Sequence, residues 1–128
     1  LDPGEENIWY FNKFQELMRF AFKSNMSELL TWTDEMSNLG RDRQKAFFNL
    51  ALRLIREYFV MNLKKPGLNF LSEEEKGWGV KFSPFINERN ILVLTKEFEK
   101  CINHISMNGN PKMIFFDTAL TIVKLIKA

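Results

Sequence analysis

Apolar residues recur every three or four positions along nearly the whole chain, the spacing of a helix face rather than the alternation of a strand. Phe11, Phe14, Met18, Ala21 and Phe22 mark a first helix from about Glu5 to Lys23. Asp2-Pro3 offers an N-cap and a proline at the first helical position, and Glu5 and Glu6 sit where the helix dipole favours acids. Ser27 is placed to cap a second helix carrying Leu29, Leu30, Trp32, Thr33 and Met36, with Gly40 as its left-handed terminator. A long third helix runs from about Arg41 to Leu63 and stops at Pro66-Gly67. It carries two apolar stripes, Phe47-Leu50-Ala51-Leu54-Tyr58-Met61 and Phe48-Leu52-Ile55-Phe59-Leu63, which predicts contact on two sides.

A loop from Leu68 to Leu71 leads to Ser72 with Glu75 three residues on, a capping-box pattern that gives the Glu73-Glu74-Glu75 run a structural reason. Gly77 and Gly79 weaken the short helix it begins, and Ser83-Pro84 breaks the chain again. A fifth helix is expected after a cap at Asn87. It is one-sided, with Ile91, Leu94, Phe98, Ile102 and Ile105 opposite Lys96, Glu97, Glu99, Lys100 and Asn103. Asn108-Gly109 turns the chain, and Asn110-Pro111 caps and starts a sixth helix. With short connections and no strand pattern, the prediction is a single all-α domain over residues 1–128, a bundle of about five or six helices.

The sixth helix is apolar beyond one face. Met113, Phe116, Leu120 and Val123 form one stripe and Phe115, Ala119, Ile122 and Ile126 another. Asp117, Lys124 and Lys127 interrupt any run long enough to span a bilayer, so a membrane anchor is excluded. Two destinations remain for the surplus: insertion into the centre of the bundle, or contact with another chain. The expected arrangement turns Phe116 and Leu120 inward and leaves Phe115, Ile122 and Ile126, with Phe48 and Phe59 of the third helix, as candidate subunit-interface residues. Trp9, Trp32 and Trp78 read equally well as interface anchors or as core.

Composition is that of an ordinary globular chain, 45% apolar and 27% charged, with 13 phenylalanines for a thick core. The net charge of +2 does not imply a nucleic-acid binder, but it is unevenly spread. Residues 41–65 hold seven Lys or Arg against two acids, a local +5 that leaves −3 elsewhere. Arg41, Arg43, Lys45, Arg53 and Arg56, followed by Lys64 and Lys65, form a candidate basic face toward DNA or an acidic partner, against the plainer reading of a solvated helix side.

Little in the chain points to catalysis. Cys101, the single cysteine, permits no internal disulfide and fits a reducing compartment. His104, the single histidine, lies one turn on, but nothing orients the pair as a nucleophilic dyad, and zinc would need further ligands. No phosphate-binding loop occurs, and Gly77 and Gly79 lack the strand that a dinucleotide site requires. Asp34 and Glu35, being adjacent, point in different directions on a helix. No catalytic, metal or cofactor residue is therefore assigned. Leu1 is not a start methionine and no signal-peptide pattern follows it, so the chain reads as a fragment of a longer protein.

Two segments carry a family resemblance. "LGRDRQKAFFNLALRLIREYF", Leu39 to Phe59, resembles the Gly-Arg-acid-x-Gln-Lys helix in the C-terminal domain of bacterial DNA polymerase III delta-prime subunits. "NGNPKMIFFDTALTIVKL", Asn108 to Leu125, resembles that domain's closing helix, which starts at an Asn-x-Asn-(Pro/Ala)-Lys turn. The chain departs from the pattern at Phe115-Phe116-Asp117, where a Leu/Ala-rich stretch with Glu is usual, and in a longer, more aromatic Pro66–Pro84 segment. The resemblance implies an oligomerisation domain of the clamp loader, the cytoplasmic AAA+ machine that places the sliding clamp on primed DNA. Such domains join five subunits into a collar and bind no cofactor. It implies other clamp-loader subunits as partners, DNA contact as secondary, and ATP chemistry in an N-terminal module outside this chain.

Overall fold

The computed structural model describes residues 3–63 and 71–127. Six α-helices build it: α1 Pro3–Phe22, α2 Met26–Ser37, α3 Arg41–Asn62, α4 Glu73–Phe82, α5 Ile91–Ser106 and α6 Pro111–Leu125. A 3-10 turn at Ser83–Phe85 follows α4, and the described residues contain no strand. The expected cap at Asp2, the Pro66-Gly67 stop, the loop before Leu71, and Lys64 and Lys65 lie outside the described residues.

The ends of the helices follow local chemistry. Ser72 Oγ accepts from the Glu75 amide while the Glu75 carboxylate accepts from the Ser72 amide, so the capping box forms as predicted. Asn110 caps α6 by accepting from the Met113 amide, with Pro111 directly after it. Two other predicted ends are corrected. Asn25, not Ser27, caps α2, because α1 closes through Ser24 in the left-handed region (φ 53°) and hands the chain on at Asn25. The Asn25 amide reaches the Phe20 carbonyl and the Ser24 amide that of Ala21, the double bond of a Schellman close. Asn108 (φ 63°) ends α5 in the same way, with Gly109 bonded back to His104 and Asn108 to Ile105.

Gly40 is the second correction. It has φ −70° and ψ 163° and stands as the N-cap of α3, so it does not terminate α2 in a left-handed turn. Gln44 does that work from one turn on. Its side-chain amide donates to the carbonyls of Met36, Ser37 and Leu39 and so satisfies the end of α2. Asn87 does cap the turn into α5 as expected, its Oδ1 accepting from the Arg89 and Asn90 amides, and Asn90 directly precedes the helix. Asn90 is fully buried and its amide ties Phe85 to Leu125, fastening the loop before α5 to the end of α6.

As its two stripes predicted, α3 is central. Phe47, Phe48, Ala51, Leu54, Ile55 and Tyr58 are all buried, and α3 packs most extensively on α5 while also meeting α1 and the 3-10 turn. Helix α6 packs on α2, α5 and α1, so its apolar surplus is mostly used inside the domain. Trp32, Phe47, Phe48, Phe98 and Phe115 form an aromatic centre, with Phe115 stacked on Phe48 at 4.8 Å and edge-on to Trp32 at 5.7 Å.

Candidate interaction surface

The residues predicted to face a partner chain are largely in this core. Phe48, Phe115 and Ile122 are fully buried and Ile126 is nearly so. Phe59 alone of that set is half-buried, and Phe116 and Leu120, expected inside, are half-buried too. The assignment of the two α6 stripes is therefore inverted. The physical reason lies in the helix itself. Lys112, Asp117, Lys124 and Lys127, all exposed, surround the Phe116-Leu120-Val123 stripe, so turning it inward would have buried charge. Small residues on the other side, Thr118 and Ala119, let α6 approach its neighbours closely.

Among the apolar residues left outside, one set forms a seam between α2 and α6. Lys112 Nζ meets Asp34 at 3.0 Å, joining the start of α6 to the end of α2, and Lys127 Nζ donates to Ser24 Oγ at 3.3 Å at the opposite end. The two helices are thus antiparallel. Helical spacing puts Met26, Leu30 and Asp34 along one side of α2, and Lys112, Phe116, Leu120 and Val123 along one side of α6. Met26 and Leu30 are 41% and 47% exposed, and the three α6 residues are half-buried, so this seam holds apolar area that the domain leaves partly open.

The basic residues do not make one face. Arg53 is bound in a two-point pair with Glu75, at 3.1 and 2.8 Å, and is withdrawn from any patch. Arg43 lies toward Glu6 at 3.8 Å, on another side of α3. Arg41 and Arg56 are exposed and Lys45 half-buried. Helical spacing puts those three on one side, a thinner strip than five residues promised.

Cys101 is buried. Its Sγ meets Thr118 Oγ1, which in turn donates to Glu97 Oε2 at 2.8 Å, and Lys100 holds the other carboxylate oxygen at 3.1 Å. Burial pushes the thiol up to about 12, so it carries no thiolate character at neutral pH. This knot fastens α5 to α6 and is poorly suited to nucleophilic chemistry. Asp34 and Glu35 are each engaged separately, with Lys112 and with Lys13. No three potential metal ligands cluster among the described residues, and no helix there is long and apolar enough to cross a membrane.

The tryptophans divide. Trp32 is core, its indole N–H donating to the Lys13 carbonyl at 3.0 Å, while Trp9 and Trp78 are half-buried at its edge. Trp78 lines an apolar groove of about 470 Å³ between α1, α4 and the 3-10 turn, with Phe22, Phe82 and Phe85. Sequence reasoning missed this groove. Phe22 closed the first apolar stripe on paper, yet it is 45% exposed.

Comparison with protein-family models, curated proteins and solved structures returned no match.

Proposed function

We propose that this chain is a clamp-loader collar domain of the delta-prime type, a cytoplasmic helical module that holds a subunit to its neighbours during sliding-clamp loading. The reading rests on the resemblance of Leu39–Phe59 and Asn108–Leu125 to that family, and one structural observation supports it. Both segments belong to a single packing unit: Phe48 from the first is stacked on Phe115 from the second. The corners that begin them also meet at one end of the bundle. Gln44 closes α2 there, and Lys112 pairs with Asp34 of the same helix.

In this reading the role is adhesive. The partner-facing residues are Met26, Leu30, Phe116, Leu120 and Val123 of the α2–α6 seam, which replace the buried set expected from periodicity. The test is sedimentation of the chain mixed with the collar domains of the other clamp-loader subunits. A heteromeric species is the expected result. If the chain sediments alone at every concentration tried, the collar reading is lost.

A further inference from the structure

The groove beside Trp78 lies beyond the Lys127–Ser24 end of the α2–α6 seam, is lined by none of the seam's apolar residues, and is built unlike the rest of the surface. Its walls are aromatic: Trp78 and Phe82 stack at 4.4 Å on α4, and Phe22 of α1 meets Phe85 edge-on at 5.2 Å. Its volume, about 470 Å³, suits one or two large side chains of a visitor. Arg19 and Lys81 stand among its lining residues, and no carboxylate does. Neither cation is ion-paired with a described residue, unlike Lys13, Arg53, Lys100 and Lys112. A third cation, Lys127, lies 5.7 Å from the Phe22 ring.

A plainer account exists for two of these cations, since Arg19 and Lys81 fall in the last turns of their helices, where cations are favoured. Magnitude decides what is left over. Each helix end carries about half a negative charge, so the ends of α1 and α4, with that of α6 just before Lys127, neutralise about half of the three full positive charges. The open aromatic floor between them has no such explanation.

We propose that this groove binds a short acidic segment of a partner protein, anchored by an aromatic or leucine side chain beside Trp78 with flanking carboxylates on Arg19 and Lys81. Tryptophan and arginine are the residue types that most often dominate binding energy, and here they flank one opening. The charge pairs sit at the rim, so they set selectivity and salt dependence while the anchor supplies the apolar contact. The inference does not depend on the collar reading, because it uses a different surface and a different kind of ligand.

The test uses the intact chain and a fluorescein-labelled peptide with one Phe and one Leu among four Asp or Glu residues. Fluorescence anisotropy is expected to show saturable binding that weakens as salt rises. The Arg19→Glu/Lys81→Glu variant is expected to lose at least about tenfold in affinity, because both rim pairs turn repulsive. Trp78→Leu should lose a similar factor with circular dichroism unchanged. A peptide with Lys in place of each acid should not bind. Equal binding of the acidic and lysine peptides would overturn the proposal, as would affinity indifferent to the double charge reversal. Self-association abolished by Trp78→Leu would make the occupant a second copy of this chain. Equal retention on anionic vesicles would make it a lipid surface. Either outcome also overturns the proposal.

Discussion

Arg53 and Glu75 meet at two points, Nη1 to Oε1 at 3.1 Å and Nη2 to Oε2 at 2.8 Å, and this pair joins α3 to α4. Glu75 accepts from the Ser72 amide in its capping box, and its own carbonyl accepts from Tyr58. Burial opposes its charge, but Arg53 and the Ser72 bonds outweigh that and hold the carboxyl below its ordinary 4.5. A lowered folded value means stability that is present above 4.5 and lost as pH falls through the folded value. Glu75→Gln should therefore be less stable than the parent at neutral pH, by about 1–2 kcal/mol for a pair only partly screened from water. In urea titrations across an acid series the gap should close below 4.5. A gap constant with pH would show that the pair is not the source.

The two glycines of α4 should respond in opposite directions. A Cβ on Gly79 would lie 2.4 Å from Tyr58 Cε1, and that ring is held by its hydroxyl bond to the Glu75 carbonyl. Nothing lies within 4 Å of a Cβ on Gly77. Gly79→Ala is expected to destabilise by about 1–3 kcal/mol through overpacking, and Gly77→Ala to stabilise by about 0.5–1 kcal/mol through helix propensity. Thermal melts of both variants decide this. A Gly79→Ala protein as stable as the parent would mean that Tyr58 gives way freely.

Neighbouring phenylalanines on α6 separate folding from assembly. Phe115→Ala empties the aromatic centre and should cost about 3–5 kcal/mol. Phe116→Ala, on the outer stripe, should cost about 1 kcal/mol or less. If the α2–α6 seam is the subunit contact, Leu30→Glu/Leu120→Glu should keep the melting behaviour of the fold and lose the heteromeric species in sedimentation. A double variant that still assembles would remove the seam from consideration.

Cys101 should be silent in the native protein. With the thiol at about 12 and its sulfur buried, its reaction with a disulfide reagent at about pH 8 should be at least a hundredfold slower than in urea. Stopped-flow absorbance checks it. Rapid native modification would mean that α5 and α6 part readily at the Glu97-Thr118-Cys101 knot.

Six helices were legible because each carries its own period, and caps such as Ser72 and Asn110 were legible because their partners lie within four residues. Harder were the residues whose role is set by something distant. Asn90 serves Leu125, 35 positions away, and Arg53 serves Glu75, so neither reads correctly from its neighbours. Gln44 belonged to a recognisable motif, yet its function of closing the preceding helix shows only in three dimensions. For α6 the failure was one of ranking. Both stripes are apolar, and counting hydrophobes does not order them; the positions of Lys112, Asp117, Lys124 and Lys127 would have. The aromatic groove had no sequence signal, because Phe22, Trp78 and Phe85 stand on three separate elements.

The packing of α6 on α1, α2 and α5 has a consequence for how the protein is made. Translation delivers α6 after every helix it packs against, so α1, α2 and α5 leave the ribosome before the surface that covers them exists. Until Phe115, Ala119 and Ile122 arrive, Trp32 and Phe48 keep Phe47 and Phe98 as neighbours but lack the Phe115 ring that both of them meet. The nascent domain thus carries an open aromatic cleft until α6 emerges, a stage at which chaperones and misassembly compete for it. A ribosome that stalls or terminates before α6 releases a product with good helices and no closed core.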